Sequence, residues 1–280
     1  MTTPLSEQIR RFYDTTSGLW EALWGEHMHH GYYGRAGLCR GDRRQAQIDL
    51  IEELLYWGNV QNPQHILDVG CGIGGSTLYL AQKYQAKATG ITLSPIQAGR
   101  AKERAREAGL APQAQFQVAD ALAMPFPDQS FDLVWSLESG EHMPDKEQFL
   151  RECYRVLKPG GKFLMATWCH RPTDRFPLTP QERGLLAEIY RVYHLPYVLS
   201  LPDYWRMAQD LGLKNLHCED WSTAVAPFWD VVIDSALAWQ AVTGLIQLGG
   251  EAISAALGLR LMVQGYEQGL IRFGLIGGER

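Results

Sequence analysis

The segment Ile66-Leu67-Asp68-Val69-Gly70-Cys71-Gly72-Ile73-Gly74-Gly75 concentrates the residues most suited to holding a ligand. An apolar strand pattern runs into a glycine-rich turn and then into a helix pattern. Glycines at such a turn permit tight backbone geometry and close approach by a bound molecule. In an open parallel sheet that molecule lies past the carboxyl ends of the strands. Gly70, Gly72 and Gly75 satisfy G-x-G-x-x-G, so a dinucleotide and a hydride-transfer enzyme have to be weighed. Two features oppose that reading. Asp68 stands just before the first glycine, where a cationic ligand is welcome and a pyrophosphate is not. The acid expected roughly 20 residues further on, for the ribose, is missing. The second strand instead ends Gly90-Ile91-Thr92-Leu93.

The pattern Asp-x-Gly-x-Gly-x-Gly resembles motif I of the class I S-adenosylmethionine-dependent methyltransferases. The resemblance implies that Asp68, Gly70, Cys71, Gly72 and Gly74 hold S-adenosylmethionine. Most members carry an acid after the second strand. This chain departs, with Thr92, Leu93 and Gln97 offering neutral hydrogen bonds, as in the C-methyltransferase and cyclopropane-synthase branch. Asp120, with Ala121 beside it, stands where the family's acid meets the adenine amino group, and Ser136, near the end of the fourth strand, is counted with the cofactor-binding residues.

Four further segments narrow the resemblance. They are Phe12-Tyr13-Asp14 through His27-Met28-His29-His30-Gly31-Tyr32-Tyr33, Trp135 to Asp145 with Glu138-Ser139-Gly140-Glu141-His142-Met143 at its centre, Ala166 to Arg171, and Gly269 to Gly274. Together they look like the gamma-tocopherol methyltransferases, in particular the cyanobacterial type, over nearly the whole chain. That resemblance implies methyl transfer to an aromatic carbon of a prenylated phenol, gamma-tocopherol becoming alpha-tocopherol in vitamin E biosynthesis. It also implies that Tyr13, His30 and Tyr32 cap the cofactor. Related members methylate alkaloid nitrogens, so an N- or C-methyltransferase on another hydrophobic acceptor, such as an alkaloid or a sterol, stands as the alternative.

Aromatic C-methylation needs the acceptor carbon in line with the methyl group, a partner for the phenolic proton, and exclusion of water. A phenol pKa near 10 makes a positioned base useful. Glu138, His142 and His170 are the catalytic candidates, with Glu141 and the His27/His29/His30 cluster also weighed. Glu138 and His142 follow the fourth strand, and His170 leaves the fifth on the same side. The clustered histidines lack i, i+4 spacing and a Cys pair, so no metal site is expected.

These residues need a scaffold. His65–Val69, Lys87–Leu93, Gln115–Val118, Phe131–Leu137 and Lys162–Trp168 read as strands. Helices are expected over Gly75–Tyr84, Pro95 to about Ala108 with Ser94 as N-cap, and Lys146–Leu157 stopped by Pro159-Gly160-Gly161. Strands and helices alternating at this spacing imply an α/β, Rossmann-like sheet, mostly parallel, and Leu270–Gly277 is expected as the antiparallel C-terminal strand. A helix from Arg44, and others over Pro180–Tyr193, Tyr204–Leu211, Asp230 to about Leu248 and Ala252–Gln268, complete the expectation, with a strand near Leu216–Asp220. The chain reads as one methyltransferase domain over 1–280: an N-terminal cap (1–43), a cofactor-binding core (44–170), a substrate-covering segment (171–269) and a final strand (270–280).

Composition sets the outer limits. The 280 residues carry a net charge of −5 and no basic block, which excludes a phosphate-binding nucleic-acid surface. No run of about 18 apolar residues occurs, so no spanning helix is expected. Met1 to Gln8 has no apolar signal core. The five cysteines form no CxxC pair, pointing to free thiols in a cytoplasmic setting. A prenylated acceptor implies transient contact with membranes. Of nine Trp, six lie in the covering segments, which reads as an aromatic enclosure, with Trp135 and Trp168 expected to face the cavity from strand ends. The uncharged stretch Ser235–Gly250 reads as core helix or as a lid over a lipid tail.

Overall fold

The computed structural model describes residues 4–234 and 250–280. The first strands form over short segments rich in apolar residues, and the central ones are buried on both faces, as strands covered by helices on each side must be. They are β1 (His65–Val69), β2 (Lys87–Thr92), β3 (Ala114–Val118), β4 (Phe131–Leu137) and β5 (Leu157–His170). β6 (Lys214–Asp220) and β7 (Ile271–Glu279) follow. The sheet order is β3-β2-β1-β4-β5-β7-β6. β1 to β5 are mutually parallel, and β7 inserts antiparallel between β5 and β6. This is the expected mostly parallel sheet with an antiparallel C-terminal strand. The order reverses direction at β1 and β4, so a crevice opens there beyond their carboxyl ends.

Helices α1 (Pro4–Trp24), α2 (Arg43–Trp57), α3 (Gly75–Tyr84), α4 (Pro95–Glu107), α5 (Lys146–Val156), α6 (Pro180–Tyr193) and α7 (Leu201–Asp210) fill the connections. A short α8 (Ser222–Val225), helical residues 227–234 and α9 (Gly250–Glu267) follow. Local chemistry sets several starts. Ser94 accepts from Gln97 N with Pro95 at the first helical position, and Thr179 with Glu182 forms a capping box. The remainder of the helix expected after Asp230, with the uncharged stretch 235–249 and Trp239, lies outside the described residues. So do the side chains of Trp20 and Trp24.

Strand periodicity divides the core into two layers. Ile66, Leu133, Trp135, Leu164 and Phe273 face α2, α3 and α9 through Leu50, Leu54, Leu80 and Met262. Leu67, Val69, Val134, Phe163 and Ile276 face α5 and α7 through Phe149, Val156 and Tyr204. Each such side chain contributes about 1.5–3 kcal/mol by leaving water. Trp135 is buried in the first layer and does not line the cavity, whereas Leu137, one pleat further along the same face, does.

Several boundaries shift from expectation, and two shifts have a clear local cause. α5 ends at Val156 and β5 begins at Leu157, so Pro159-Gly160-Gly161 lies inside the strand. The pairing shifts there, from Phe131↔Leu157 to Leu133↔Lys162, and this irregularity accommodates a proline without an N–H and Gly160 at φ +75°. α7 begins at Leu201 rather than Tyr204, because Ser200 and Asp203 cap it and Pro202 suits the first turn.

Candidate active site

The turn after β1 closes through its own backbone. Gly70 N and Cys71 N both donate to Ile91 O at 2.9 Å, tying the turn to the end of β2. Gly70 has φ +81° and Gly72 φ +53°. Asp68 is 2 % exposed and accepts from Thr77 Oγ1 at 2.6 Å. Burial raises its carboxyl to about 7, against the Thr77 hydrogen bond. A cavity opens over this turn. Asp68, Gly70, Cys71 and Gly72 line one side, Thr92, Leu93 and Gln97 a second, and Glu138, Ser139 and His142 a third. Tyr13, His27, Met28 and His29 complete it. An adjoining recess is lined by Asp120 and Ala121 with Ile91 and Met143.

α1 lies across the cavity and is fastened to α4. Asp14 accepts from Ser94 Oγ at 2.5 Å, Ser17 Oγ from Gln97 Nε2 at 3.1 Å, and Glu21 from Arg100 Nε at 2.9 Å. Thr92 Oγ1 donates to Gln97 Oε1 at 2.8 Å, so this neutral pair is already engaged and rigid. Arg104 reaches from α4 to Ile73 O at 2.9 Å and to Glu26 at 2.8 Å, joining the glycine turn to the segment before the histidines.

Glu138 is the electrostatic centre. Its backbone holds φ +52°, unusual for a residue with a Cβ. One carboxylate oxygen accepts from His30 N at 2.6 Å. The other faces His30 Nδ1 at 2.7 Å and accepts from Trp168 Nε1 at 3.0 Å. Burial works to raise this carboxyl, but the charge and hydrogen bonds of His30 outweigh it and hold it below the usual range. His142 stands beside it with Nε2 2.7 Å from the Tyr13 hydroxyl. Burial pushes His142 down to about 3, with Lys146 adding to the effect. Burial likewise pushes His27 down to about 2 and lowers His29. The cavity therefore combines a fixed anion with neutral imidazoles.

The structure brings Glu138, His142 and Tyr13 together, as well as the glycine turn with Thr92, Leu93 and Gln97. Five other expectations are corrected. His170 leaves the cavity: its Nδ1 lies 2.6 Å from Arg171 O, and it lines a separate depression with Pro202 and Trp205, so it shares no wall with Glu138. Tyr32 packs on Trp221 at 5.2 Å, beside α2, and does not line the cavity. Gly74 turns away, since a Cβ there would sit 2.8 Å from the Phe116 ring. Ser136 lies behind Ser139, Oγ to Oγ 2.8 Å. His30 is held behind Glu138 rather than over the cavity, boxed by Trp168, Phe228, Trp229, Tyr266 and Phe273.

Nothing in the sequence signals the role of Arg104, and Trp168, expected to face the cavity, does not line it but stands behind Glu138 with Nε1 on that carboxylate. His27 and His29 were weighed only as a group; both line the cavity, and His27 Nδ1 and His29 Nε2 have no hydrogen-bond partner. Among the described residues no group of three His, Cys, Asp or Glu could hold a metal ion.

The donor set fits a cationic cofactor. A Cβ on Gly72 would meet only Met28 Sδ, at 3.7 Å, so the turn leaves open space, and Asp68 supplies a buried carboxyl beside it. Comparison with known proteins agrees. Residues 67–165 match the family model described as a methyltransferase domain. A tocopherol O-methyltransferase of Arabidopsis thaliana, chloroplastic by its name, is 46% identical, covering 98% of this chain and 82% of that protein. Norajmaline N-methyltransferase of Rauvolfia serpentina is 34% identical, covering 95% of each. A geranyl diphosphate methyltransferase solved with geranyl diphosphate and sinefungin superimposes with a TM-score of 0.80 at 23% identity, covering 100% of both chains. With near-complete coverage by a relative at that identity, and the class I sheet carrying the glycine turn, the chain belongs to the tocopherol methyltransferase family of S-adenosylmethionine-dependent enzymes.

Proposed function

We propose that the chain transfers the methyl group of S-adenosylmethionine to a ring carbon of a prenylated phenol, converting gamma-tocopherol to alpha-tocopherol. The observation that carries this is the pairing, in one cavity, of an anion locked by three donors with imidazoles kept neutral by burial. A cationic methyl donor is attracted by the first, and a phenolic proton is accepted by the second. The tocopherol name of the Arabidopsis relative supports the acceptor class.

S-adenosylmethionine supplies an electrophilic methyl group. Asp68, the backbone of Gly70, Cys71 and Gly72, and the Thr92–Gln97 pair would hold it, with Asp120 in the adjoining recess as the acceptor suited to an adenine amino group. Glu138 would hold negative charge toward the cationic donor. His142 would accept the phenolic proton as the ring carbon takes the methyl group and S-adenosylhomocysteine leaves, and would return it to the oxygen as the ring carbon gives up its own hydrogen to solvent. It is a weak base in the empty site, and the negative charge developing on the phenol strengthens it there. Residues 1–43 serve as the cap, 44–170 as the cofactor core, 171–269 as the acceptor cover and 270–280 as the closing strand of one unit. The acceptor resides in membrane, so the cytoplasmic enzyme touches that surface transiently. No helix among the described residues is long and apolar enough to cross it.

The test is incubation with methyl-labelled S-adenosylmethionine and gamma-tocopherol, delta-tocopherol, a methylphytylbenzoquinol and an indole alkaloid. The expected product from gamma-tocopherol keeps a free phenol and gains a ring methyl by NMR. Label in the alkaloid alone, or a methyl ether of the phenol, overturns the proposal.

Asp68 gives a second expectation. At about pH 6 most of its carboxyl is protonated in the free protein, since its pKa is raised to about 7. A bound cation favours the ionised form, so binding expels the proton. Affinity therefore rises with pH up to about 7 and levels off above it. Calorimetry at about pH 6 in buffers of different ionisation enthalpy should show release of close to one proton per cofactor bound. Asp68→Asn should abolish that release and weaken binding about tenfold or more at about pH 8. Binding to the wild-type protein with no net proton release excludes this role.

A further inference from the structure

Lys146 is out of place by ordinary rules. Lysine is almost never fully buried without a partner, and a cation at a helix N-terminus opposes the helix dipole. Yet Lys146 opens α5 and is 1 % exposed. Its ammonium turns back over its own cap. Nζ donates to Glu141 O at 2.8 Å and to Met143 O at 2.7 Å. The Tyr197 ring lies 4.8 Å away and faces the charge.

Those two carbonyls flank His142. The turn Gly140–His142 is a single 3-10 turn, closed by His142 N to Ser139 O and Met143 N to Gly140 O, both at a long 3.2 Å. One side of this turn presents His142 and Met143 to the cavity. The other side is anchored: the Glu141 carboxyl accepts from Thr167 Oγ1 at 2.7 Å, and a Cβ on Gly140 would press on Thr167 and Met165. Weak internal bonds alone do not fix so short a turn. The lysine spans it from behind, with both donors on the chain to either side of His142.

We propose that Lys146 is a positioning residue, clamping the turn after β4 through two backbone carbonyls so that His142 stands at the acceptor. This deepens the reading of His142 as proton acceptor and rests on it. Lys146 touches neither cavity nor acceptor. Burial costs its charge, pushing the ammonium down to about 7 while Glu141 pulls the other way. That cost is offset only if the clamp is worth keeping.

The test is Lys146→Met, which keeps volume and removes both donors, measured by amide hydrogen exchange and steady-state kinetics on the full chain. Exchange at His142 and Met143 should rise about tenfold or more, with β4 unchanged. Turnover should fall about tenfold or more, with affinity for S-adenosylhomocysteine changed less than about threefold. Lys146→Gln, whose amide still offers N–H groups, should recover part of that loss, and it serves where the Met variant does not fold. Unchanged exchange in the turn, unchanged turnover, or a rise in exchange spread equally through β4 overturns the clamp. If the wild-type protein leaves gamma-tocopherol unmethylated, the acceptor reading fails, while hydrogen exchange still decides the clamp.

Discussion

Glu138→Gln is expected to cost about 2–4 kcal/mol of stability and about 100-fold or more in turnover. The two losses have separate origins. The carboxylate is met by three N–H groups, from His30 N, His30 Nδ1 and Trp168 Nε1. An amide has one acceptor oxygen. Whichever way it is flipped, its NH₂ faces at least one of those donors inside the protein, where an unsatisfied or opposed donor costs about 1–3 kcal/mol. The better flip keeps the oxygen toward His30 Nδ1 and Trp168 and sets the NH₂ against His30 N. That pushes on the segment carrying His27 and His29 at the cavity wall. Turnover is expected to fall further, because the fixed negative charge proposed to face the cationic methyl donor is gone.

The left-handed backbone at Glu138 strengthens the point. A φ of +52° costs energy for a side-chain-bearing residue, and the structure keeps it while β4 delivers Glu138 N to Ala166 O at 2.8 Å. The measurement is thermal or urea unfolding beside kcat. A melting temperature and a kcat both close to wild type would show that the carboxylate is neither the anchor of His30 nor the charge opposite the donor.

The expected strands at β1 and β4 and the expected helices at α3 and α6 match the structure to the residue. In each case a local signal was enough: a short segment rich in apolar residues, glycines at the entry, or a Thr-Pro start with an acid three residues on. The Asp68 turn was legible for the same reason, since its chemistry lies within one short segment. What escaped was long-range. Glu138 and His30 are separated by 108 positions, and no periodicity tells that His30 N–H would be spent on that carboxylate. His170 shows the complementary failure. The strand was expected to end at Trp168 and runs on to His170, and the side on which that terminal residue points is decided by packing against α7. Lys146 drew no expectation beyond its place at a helix start, and only its burial marks it out.

Gly70→Ala tests the joint between the two strands that bound the crevice. With φ at +81°, any L side chain is strained by about 1 kcal/mol. The larger difficulty is contact, because a Cβ would lie 2.2 Å from Ser139 Cβ and 2.6 Å from its Oγ. Ser139 cannot yield freely. Its Oγ donates to Val69 O at 2.6 Å and meets Ser136 Oγ at 2.8 Å, hooking the loop after β4 onto the end of β1. The methyl must break that hook or bend the turn, and a total of about 2–4 kcal/mol is expected, with loss of cofactor binding. Gly72→Ala separates the two effects. Space is open at Gly72, so stability should fall by only about 1 kcal/mol, while the methyl intrudes on the cofactor and affinity drops about tenfold or more. The joint itself is tested by Gly70→Ala with Ser139→Gly: deleting the opposing Cβ should return most of the lost stability, leaving the strain of φ and the missing hook. A double variant no more stable than Gly70→Ala alone would place the cost in the backbone of the turn and not in its contact with the loop that carries Glu138.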